Sequence, residues 1–587
     1  MRSRPPSVSV ARRRVAVGCL LAALPAAAPG AFDVDPAVLD AQARRVDAIA
    51  TASATAVAIF AGAAGGGSGV LVTPDGYALT NFHVVEPAGV AMRCGLSDGR
   101  LYDAILVGLD PTGDVAVVKL LGRDDFPHAT LADSDLVEPG DFCFAAGNPF
   151  LLATDFAPSI SAGIVSGTHR YQFPAGTILE YADCLQVDAA INPGNSGGGL
   201  FDAAAGLIGV NGRASFEKRG RVNVGVGYAI SSNQLRNFLG ILKGGRVADH
   251  ATLGATVASS ADGRVVVSDI LETSDAYRRG LRYDDEVVAL AGRPVRTVNA
   301  FKNVLGTLPA GWQVPLVIRR DGQPQEILVR LAAVHTTAEL AAIVSGESRR
   351  PPQPEGEKPA EKQAEPELPE AVRGLYESRP GFANHHFNVL ERDRVARAIA
   401  ARSAPAAEEG TWTLSGTLAT GQDFAIELSA THGLIDLPTG TSRIDATADL
   451  DTDPQPPGSG GLLAALLLWR RLILEGPVAL GRTTYWGTAP VWVPAGDGSP
   501  VTAAGPLVDI LETAVAGVEA RFAVADDGRV VGIDLWTAPD ADPCEVRILE
   551  PLPGDDRGLP GVFEVRRGGE PFGVFRVTKA ERTGAAP

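Results

Sequence analysis

Three things are scarce in this 587-residue chain: long apolar runs, cysteine and lysine. The apolar run Val15–Leu24 is too short for a comfortable bilayer span, and the one at Leu462–Leu474 is broken by Arg470-Arg471. No integral membrane span is therefore expected. The chain has five cysteines and eight histidines, and no Cys/His spacing of the metal-binding kind. No metal site and no other cofactor is expected. Positive charge is outweighed, with a net charge of −17, which argues against a nucleic-acid partner and is accounted for by solubility. Of the 52 basic residues seven are lysine, a bias that fits a GC-rich genome and needs no functional reading.

What is abundant is glycine, 67 residues, beside an apolar content of 45%, a composition suited to loop-rich β domains rather than a helical bundle. The length predicts several domains. Residues 1–30 read as a signal peptide: a basic Arg12-Arg13-Arg14, the apolar run from Val15, then the small residues Ala26 to Ala31. Export to the periplasm or cell envelope of a bacterium is expected. Retention of this segment as an anchor is the alternative, and the consecutive arginines leave twin-arginine export open. Cys94, Cys143, Cys184 and Cys544 lie beyond it, in apolar, strand-like contexts. Export permits disulfides, four cysteines allow three full pairings, and buried free thiols fit equally well. Residues 31–49 read as a helical segment with Asp35 as N-cap.

The densest chemistry lies in Asp188-Ala-Ala-Ile-Asn-Pro-Gly194-Asn195-Ser196-Gly197-Gly198. A serine in a tight glycine-rich turn suits a hydrolase nucleophile. Gly194 lets its own N–H and that of Ser196 converge on one point, the geometry of an oxyanion hole. A nucleophilic serine needs a base and an orienting carboxylate. Upstream, apolar runs on either side of Pro74-Asp75-Gly76 predict a β-hairpin, and His83 closes the second run. Asp114 stands just before Val115–Leu120, a predicted buried strand. The order His, Asp, Ser is that of chymotrypsin-like double barrels.

Residues 50–244, with Gly67-Ser68-Gly69-Val70, Thr80-Asn81-Phe82-His83-Val84-Val85, Asp114-Val115-Ala116-Val117-Val118-Lys119, Gly147-Asn148-Pro149-Phe150, Gly163-Ile164-Val165-Ser166, Asp188 to Gly198 and Gly227-Tyr228-Ala229-Ile230, resemble the HtrA/Deg family of trypsin-fold serine proteases. The resemblance implies His83 as general base, Asp114 as its orienter and Ser196 as nucleophile, with Gly194 and Ser196 supplying the oxyanion-hole N–H groups. It implies a pocket floor at Ala190 with Ile191 beside it. No carboxylate stands there, so small aliphatic P1 residues are expected and Arg or Lys are not, because an unpaired buried charge costs several kcal/mol. One departure is Gly199, where the family usually has proline; a changed loop wall is expected. Asn195 stands where secreted trypsin-like enzymes place the aspartate that pairs with a freshly cut N-terminus. No such processing is expected, and the loop must be ordered by contacts between protomers or with substrate. The family's trimers imply a homo-oligomer.

Residues 247–335 resemble the PDZ domain that such proteases append, with Leu253, Gly254 and Ala255 as the carboxylate-binding loop, Val298–Leu308 as the groove helix, and Asp284 where glycine is expected. Unfolded or C-terminal peptides are the implied partners. Residues 336–370 read as a Pro/Glu-rich linker. Residues 371–587 read as a β-rich or α+β domain, with a helix over Gly461–Glu475 among predicted strands and a loose similarity to lipoprotein-carrier folds. His385-His386 opens a predicted helix and is assigned to packing. The expected fold class is multidomain and mainly β: a chymotrypsin-like double barrel, a PDZ domain and this last domain. The expected function is a serine endopeptidase cleaving unfolded or damaged envelope proteins; the alternative is a peptide-binding chaperone or scaffold with little or no proteolysis.

Overall fold

The computed structural model describes residues 34–61, 66–148, 155–172, 178–216, 223–345, 368–402, 410–492, 505–555 and 558–584. The signal segment and most of the expected linker lie outside them. The chain divides into two units, Met1–Val46 and Asp47–Pro587. In the first, Asp35 accepts the N–H of Ala37 at 2.8 Å and starts a helix at Pro36. That helix runs to Thr55, six residues beyond the expected end; Ala48 and Ala52, which belong to the second unit, are buried in that unit's core.

Twelve strands then build two barrels. The first comprises β1 (Ala56–Phe60), β2 (Gly66–Leu71), β3 (Tyr77–Thr80), β4 (Ala91–Leu96), β5 (Leu101–Asp110) and β6 (Val115–Leu120). The second comprises β7 (Phe142–Gly147), β8 (Ser159–Gln172), β9 (Tyr181–Val187), β10 (Gly199–Asp202), β11 (Leu207–Phe216) and β12 (Asn223–Ser231). Both close, in the orders β1-β2-β3-β6-β5-β4 and β10-β11-β12-β9-β8-β7, so neither leaves an unpaired edge. The predicted hairpin forms, pairing Val70 with Leu79 and Leu71 with Ala78. Inward residues fill the interiors: Ile59, Leu71, Phe82 and Val118 in one, Val165, Leu185, Val187 and Leu200 in the other. Gly199 lies inside β10, paired with Ala146 and Val210, and so is not the loop wall expected. Cys94, Cys143, Cys184 and Cys544 are all buried as free thiols. Burial pushes those of Cys94 and Cys143 up to about 12, so they stay protonated and unreactive.

Ser232–Lys243 forms the helix that leads out of the second barrel. A smaller antiparallel sheet follows, its order running from Ala255–Ser259 at one edge through Val265–Ile270, Glu286–Leu290 and Gln313–Arg320 to Gln323–Arg330. The Val298–Gly306 helix packs against it. Asp284, in the glycine position of the motif, adopts the left-handed backbone at φ 68° that glycine would take freely. Thr337–Val344, expected as linker, is instead a helix, capped reciprocally by Thr336 and Glu339 and anchored by buried Leu340 and Ile343.

Beyond the linker, His385–Arg402 is helical, and an eleven-stranded antiparallel sheet runs from Gly440–Asp445 to Thr484–Pro490 at its edges. The helix Leu462–Glu475 is buried from Leu462 to Arg470, with Trp469 edge-on to Trp412 at 5.5 Å. An all-round apolar helix must be covered on every side, and the sheet covers it. His385 is packed, with Nδ1 2.9 Å from Glu377 and its ring 4.8 Å from that of Phe382. This last body clamps both of its predecessors. Asn388 Nδ2 donates to Gly244 O, Arg246 Nε donates to Tyr485 O, Trp312 Nε1 donates to Thr488 O, and Arg330 pairs with Asp534 at 2.7 Å.

Candidate active site

His83 and Asp114 come from two turns of the first barrel. The second apolar run of the hairpin stops at Thr80, and His83 sits in the one-turn helix Phe82–Val85 that follows. Asp114 ends the turn before β6 in a left-handed conformation, φ 58°. Its carbonyl is held by the N–H of Phe82 at 3.2 Å and by Asn81 Nδ2 at 2.9 Å, which locks the two turns together. The Asp114 carboxylate is fully buried and lies 2.8 Å from His83 Nδ1, while the His83 side chain is 41% exposed. The backbone N–H of His83 also donates to Asp114 Oδ1 at 3.1 Å, and Tyr181 donates its hydroxyl proton to Oδ2 at 2.5 Å. With Nδ1 turned to a carboxylate, Nε2 is left to act as a proton acceptor. Burial disfavours the imidazolium, but the hydrogen bond and charge of Asp114 outweigh it, so the pKa of His83 lies above its ordinary value.

Ser196 belongs to the second barrel, in the turn ahead of β10. Gly194 takes φ 101°, and Gly197 takes φ 85° with Ser68 O so near that an added Cβ would lie 2.1 Å from it. Only glycine fits such a position. The N–H of Asn195 donates to Asn192 O at 2.9 Å and that of Gly197 to Asn211 O at 2.8 Å, while the N–H groups of Gly194 and Ser196 donate to no described residue. Two free donors at that spot are what an oxyanion needs. The Ser196 hydroxyl donates to Gly212 O at 3.2 Å, not to His83. Apo enzymes often hold such bonds loosely and tighten them on substrate. Of the expected pocket residues, Ala190 is exposed, its carbonyl accepting from Ser161 Oγ at 2.8 Å and from Asn195 Nδ2 at 3.4 Å. Ile191 is buried, and an added Cβ on Gly227 would lie 2.6 Å from it.

Three contributors escape sequence reasoning. Tyr181 opens β9 far from Asp114 in sequence, and nothing in its neighbours marks it. Asn81 and Ser68 stand inside the motifs, yet their partners are set only by how the strands fold.

Residues 67–210 match the protein family described as a trypsin-like peptidase domain. The chain is 34% identical over 289 residues to a probable periplasmic serine endoprotease DegP-like of Chlamydia trachomatis serovar D, covering 47% of this chain and 56% of that one. It is 35% identical over 277 residues to periplasmic serine endoprotease DegP of Escherichia coli K12, covering 45% and 56%. This chain is a homologue of the DegP/HtrA serine proteases. It spans just over half the length of the curated relatives it matches, 56% of each. Among solved structures, the HtrA-type protease AlgW with tripeptide aligns over 50% of this DegP/HtrA homologue and 98% of its own chain, at 31% identity and a TM-score of 0.41. The structure is mainly β, with two closed six-stranded barrels.

Proposed function

We propose that this DegP/HtrA homologue is a serine endopeptidase of the periplasm or cell envelope that cleaves unfolded proteins. The observation that carries the proposal is the His83–Asp114 pair at 2.8 Å, set beside a glycine turn that leaves the N–H groups of Gly194 and Ser196 free. In the first step Ser196 Oγ turns from Gly212 to His83, gives its proton to Nε2 and bonds to the substrate carbonyl carbon. The carbonyl π electrons move onto oxygen, where the Gly194 and Ser196 N–H groups receive them. Asp114 stabilises the imidazolium without taking its proton. His83 then protonates the leaving amine as the peptide C–N bond breaks, and water releases the acyl group by the same route in reverse.

The absence of a carboxylate at Ala190 and Ile191 supports a preference for small aliphatic P1 residues. Apolar walls discriminate neighbouring side chains by only about 1–3 kcal/mol, so cutting should be broad among Val, Ala and Ile. The sheet after residue 247 supports a PDZ role. Its edge strand Ala255–Ser259 and the Val298–Gly306 helix flank a groove of about 570 Å³ lined by Thr256, Val257, Val298, Phe301 and Leu305. Of the loop Leu253, Gly254 and Ala255, Ala255 lines this groove, which supports holding a peptide carboxylate there with its strand added to the free edge.

The bond from Ser196 to Gly212 is the one observation that favours the binding-only reading. A fluorophosphonate decides between the two, since it labels only an activated serine. The expected result is labelling of Ser196 and cleavage of unfolded casein, both lost in Ser196→Ala, with released peptides ending in Val, Ala or Ile. An unlabelled protein, a Ser196→Ala variant cutting at more than about a hundredth of the parent rate, or cuts mostly after Arg and Lys would overturn the corresponding part.

A further inference from the structure

With Asn195 in place of aspartate, the oxyanion turn lacks the ion pair that orders it in secreted trypsin-like enzymes, and the sequence points to a neighbouring protomer or the substrate for that service. The fold offers a source within the chain. Ser68 lies in β2 of the first barrel and is completely buried. Its backbone N–H donates to Ser196 O at 2.9 Å, and its hydroxyl donates to Gly194 O at 2.6 Å. These two bonds take hold of both ends of the tripeptide Gly194-Asn195-Ser196, whose end residues own the two free N–H groups. Ser68 is itself fixed. The N–H of Asn148 donates to its Oγ at 2.8 Å, and Thr80 Oγ1 donates to its carbonyl at 2.7 Å. Every bond in this set is buried or nearly so, where a peptide group that turned away would leave orphaned partners behind.

We infer that Ser68 is a positioning residue of the oxyanion hole, a staple from one barrel that helps keep the Gly194 and Ser196 N–H groups aimed at a common point. The inference rests on the proposed Ser196 chemistry. A peptide plane rotates about its flanking Cα atoms, and Gly194, lacking a Cβ, resists such rotation least. The Gly194 and Ser196 carbonyls lie in the peptide planes that follow their own N–H groups, so tying them to Ser68, itself clamped on its far side, fixes the Cα atoms about which the two donor planes turn and narrows that freedom. The hydroxyl is needed for two roles at once, donor to Gly194 and acceptor from Asn148, which alanine cannot fill and cysteine fills weakly.

The test compares parent, Ser68→Ala and Ser68→Cys in the full chain, reading kcat and KM on a short aliphatic-P1 peptide ester and affinity for a peptide boronic acid, whose adduct puts an oxygen in the hole. The expected result for Ser68→Ala is a fall in kcat of about 10- to 100-fold, below the loss for deleting a donor outright, with boronate affinity falling in step and KM within about threefold. Ser68→Cys, which keeps a weaker donor and acceptor at that position, should lie between; it carries the test should Ser68→Ala fail to fold. The acidic limb of the pH–rate profile should not move, because Ser68 touches neither His83 nor Asp114; a general collapse of the site would move it. Variants within twofold of the parent in kcat and boronate affinity would overturn the inference. So would a loss confined to KM. If Ser196→Ala in the same assay silences the enzyme while Ser68→Ala does not, the staple alone fails; if Ser196→Ala stays active, the underlying reading fails.

Discussion

The two barrels and the eleven-stranded sheet are both antiparallel β structure, yet they carry information differently. In the barrels, the proposed chemistry sits in short turns where a residue type is demanded by geometry: Gly197 against Ser68 O, Asp114 at φ 58°, and His83 one turn past Thr80. Those demands write themselves into the sequence as contiguous motifs. In the sheet the demand is only that alternate residues be apolar and that something cover the Leu462–Glu475 helix. Many sequences meet it, so the region yields elements but no chemistry. Damage should therefore also differ, striking rate in the first region and stability in the second.

Asp114→Asn should show the largest effect. With Nδ1 of His83 facing an amide, the tautomer and the stabilised imidazolium are both lost, and kcat/KM should fall by about 10⁴-fold with little change in melting temperature. The same carboxylate sets the pH dependence. Because it raises the pKa of His83, the parent rate should climb with pH through a midpoint above the ordinary histidine value, since only the neutral imidazole accepts the serine proton. The stabilisation from the charged pair has the opposite dependence: complete below the unfolded-state pKa and lost as pH rises through the folded one. A kcat/KM profile with its acidic midpoint at or below that of free histidine would break the assignment.

Leu466→Ala in the covered helix sharpens the other side of the comparison. Leu466 is 2% exposed, and its truncation should cost about 2–5 kcal/mol of stability, read by denaturant unfolding. Fluorophosphonate labelling of Ser196 in the folded variant should keep the parent rate. A proportionate loss of labelling would mean that the sheet and the triad are energetically one body, through contacts such as Arg246 to Tyr485 and Asn388 to Gly244.

The smallest effect is expected from Tyr181→Phe, which deletes the phenol donor to Asp114 Oδ2. A hydrogen bond to a charged group is worth about 1.5–3 kcal/mol, so kcat/KM should drop by about 10- to 100-fold. Without that donor the carboxylate holds the His83 proton more strongly, and the acidic midpoint should move up. An unchanged rate and midpoint would show that His83 alone suffices to hold Asp114.

Much of this molecule is legible in its sequence. The hairpin at Pro74-Asp75-Gly76 follows from local pattern, and the pairing of His83 with Asp114 joins two residues that the motifs single out. Local pattern failed where the signal is not local. The helix Pro36–Thr55 outran its predicted end because buried alanines look neutral in sequence. Thr337–Val344 hid in a stretch taken for linker although its Thr336/Glu339 cap was present.

The sequence by itself determined the residue types and the order in which they occur: a base, a carboxylate, a glycine-held serine, each forced by chemistry or by backbone sterics that act within a few residues. Tertiary structure decided which distant groups complete them. Ser68 reaches Gly194 across 126 residues and Tyr181 reaches Asp114 across 67, because closing each barrel and setting the two side by side puts strand positions in register that have no relation along the chain. Hydrogen bonds depend on separation in space, and a sequence specifies that only through the fold.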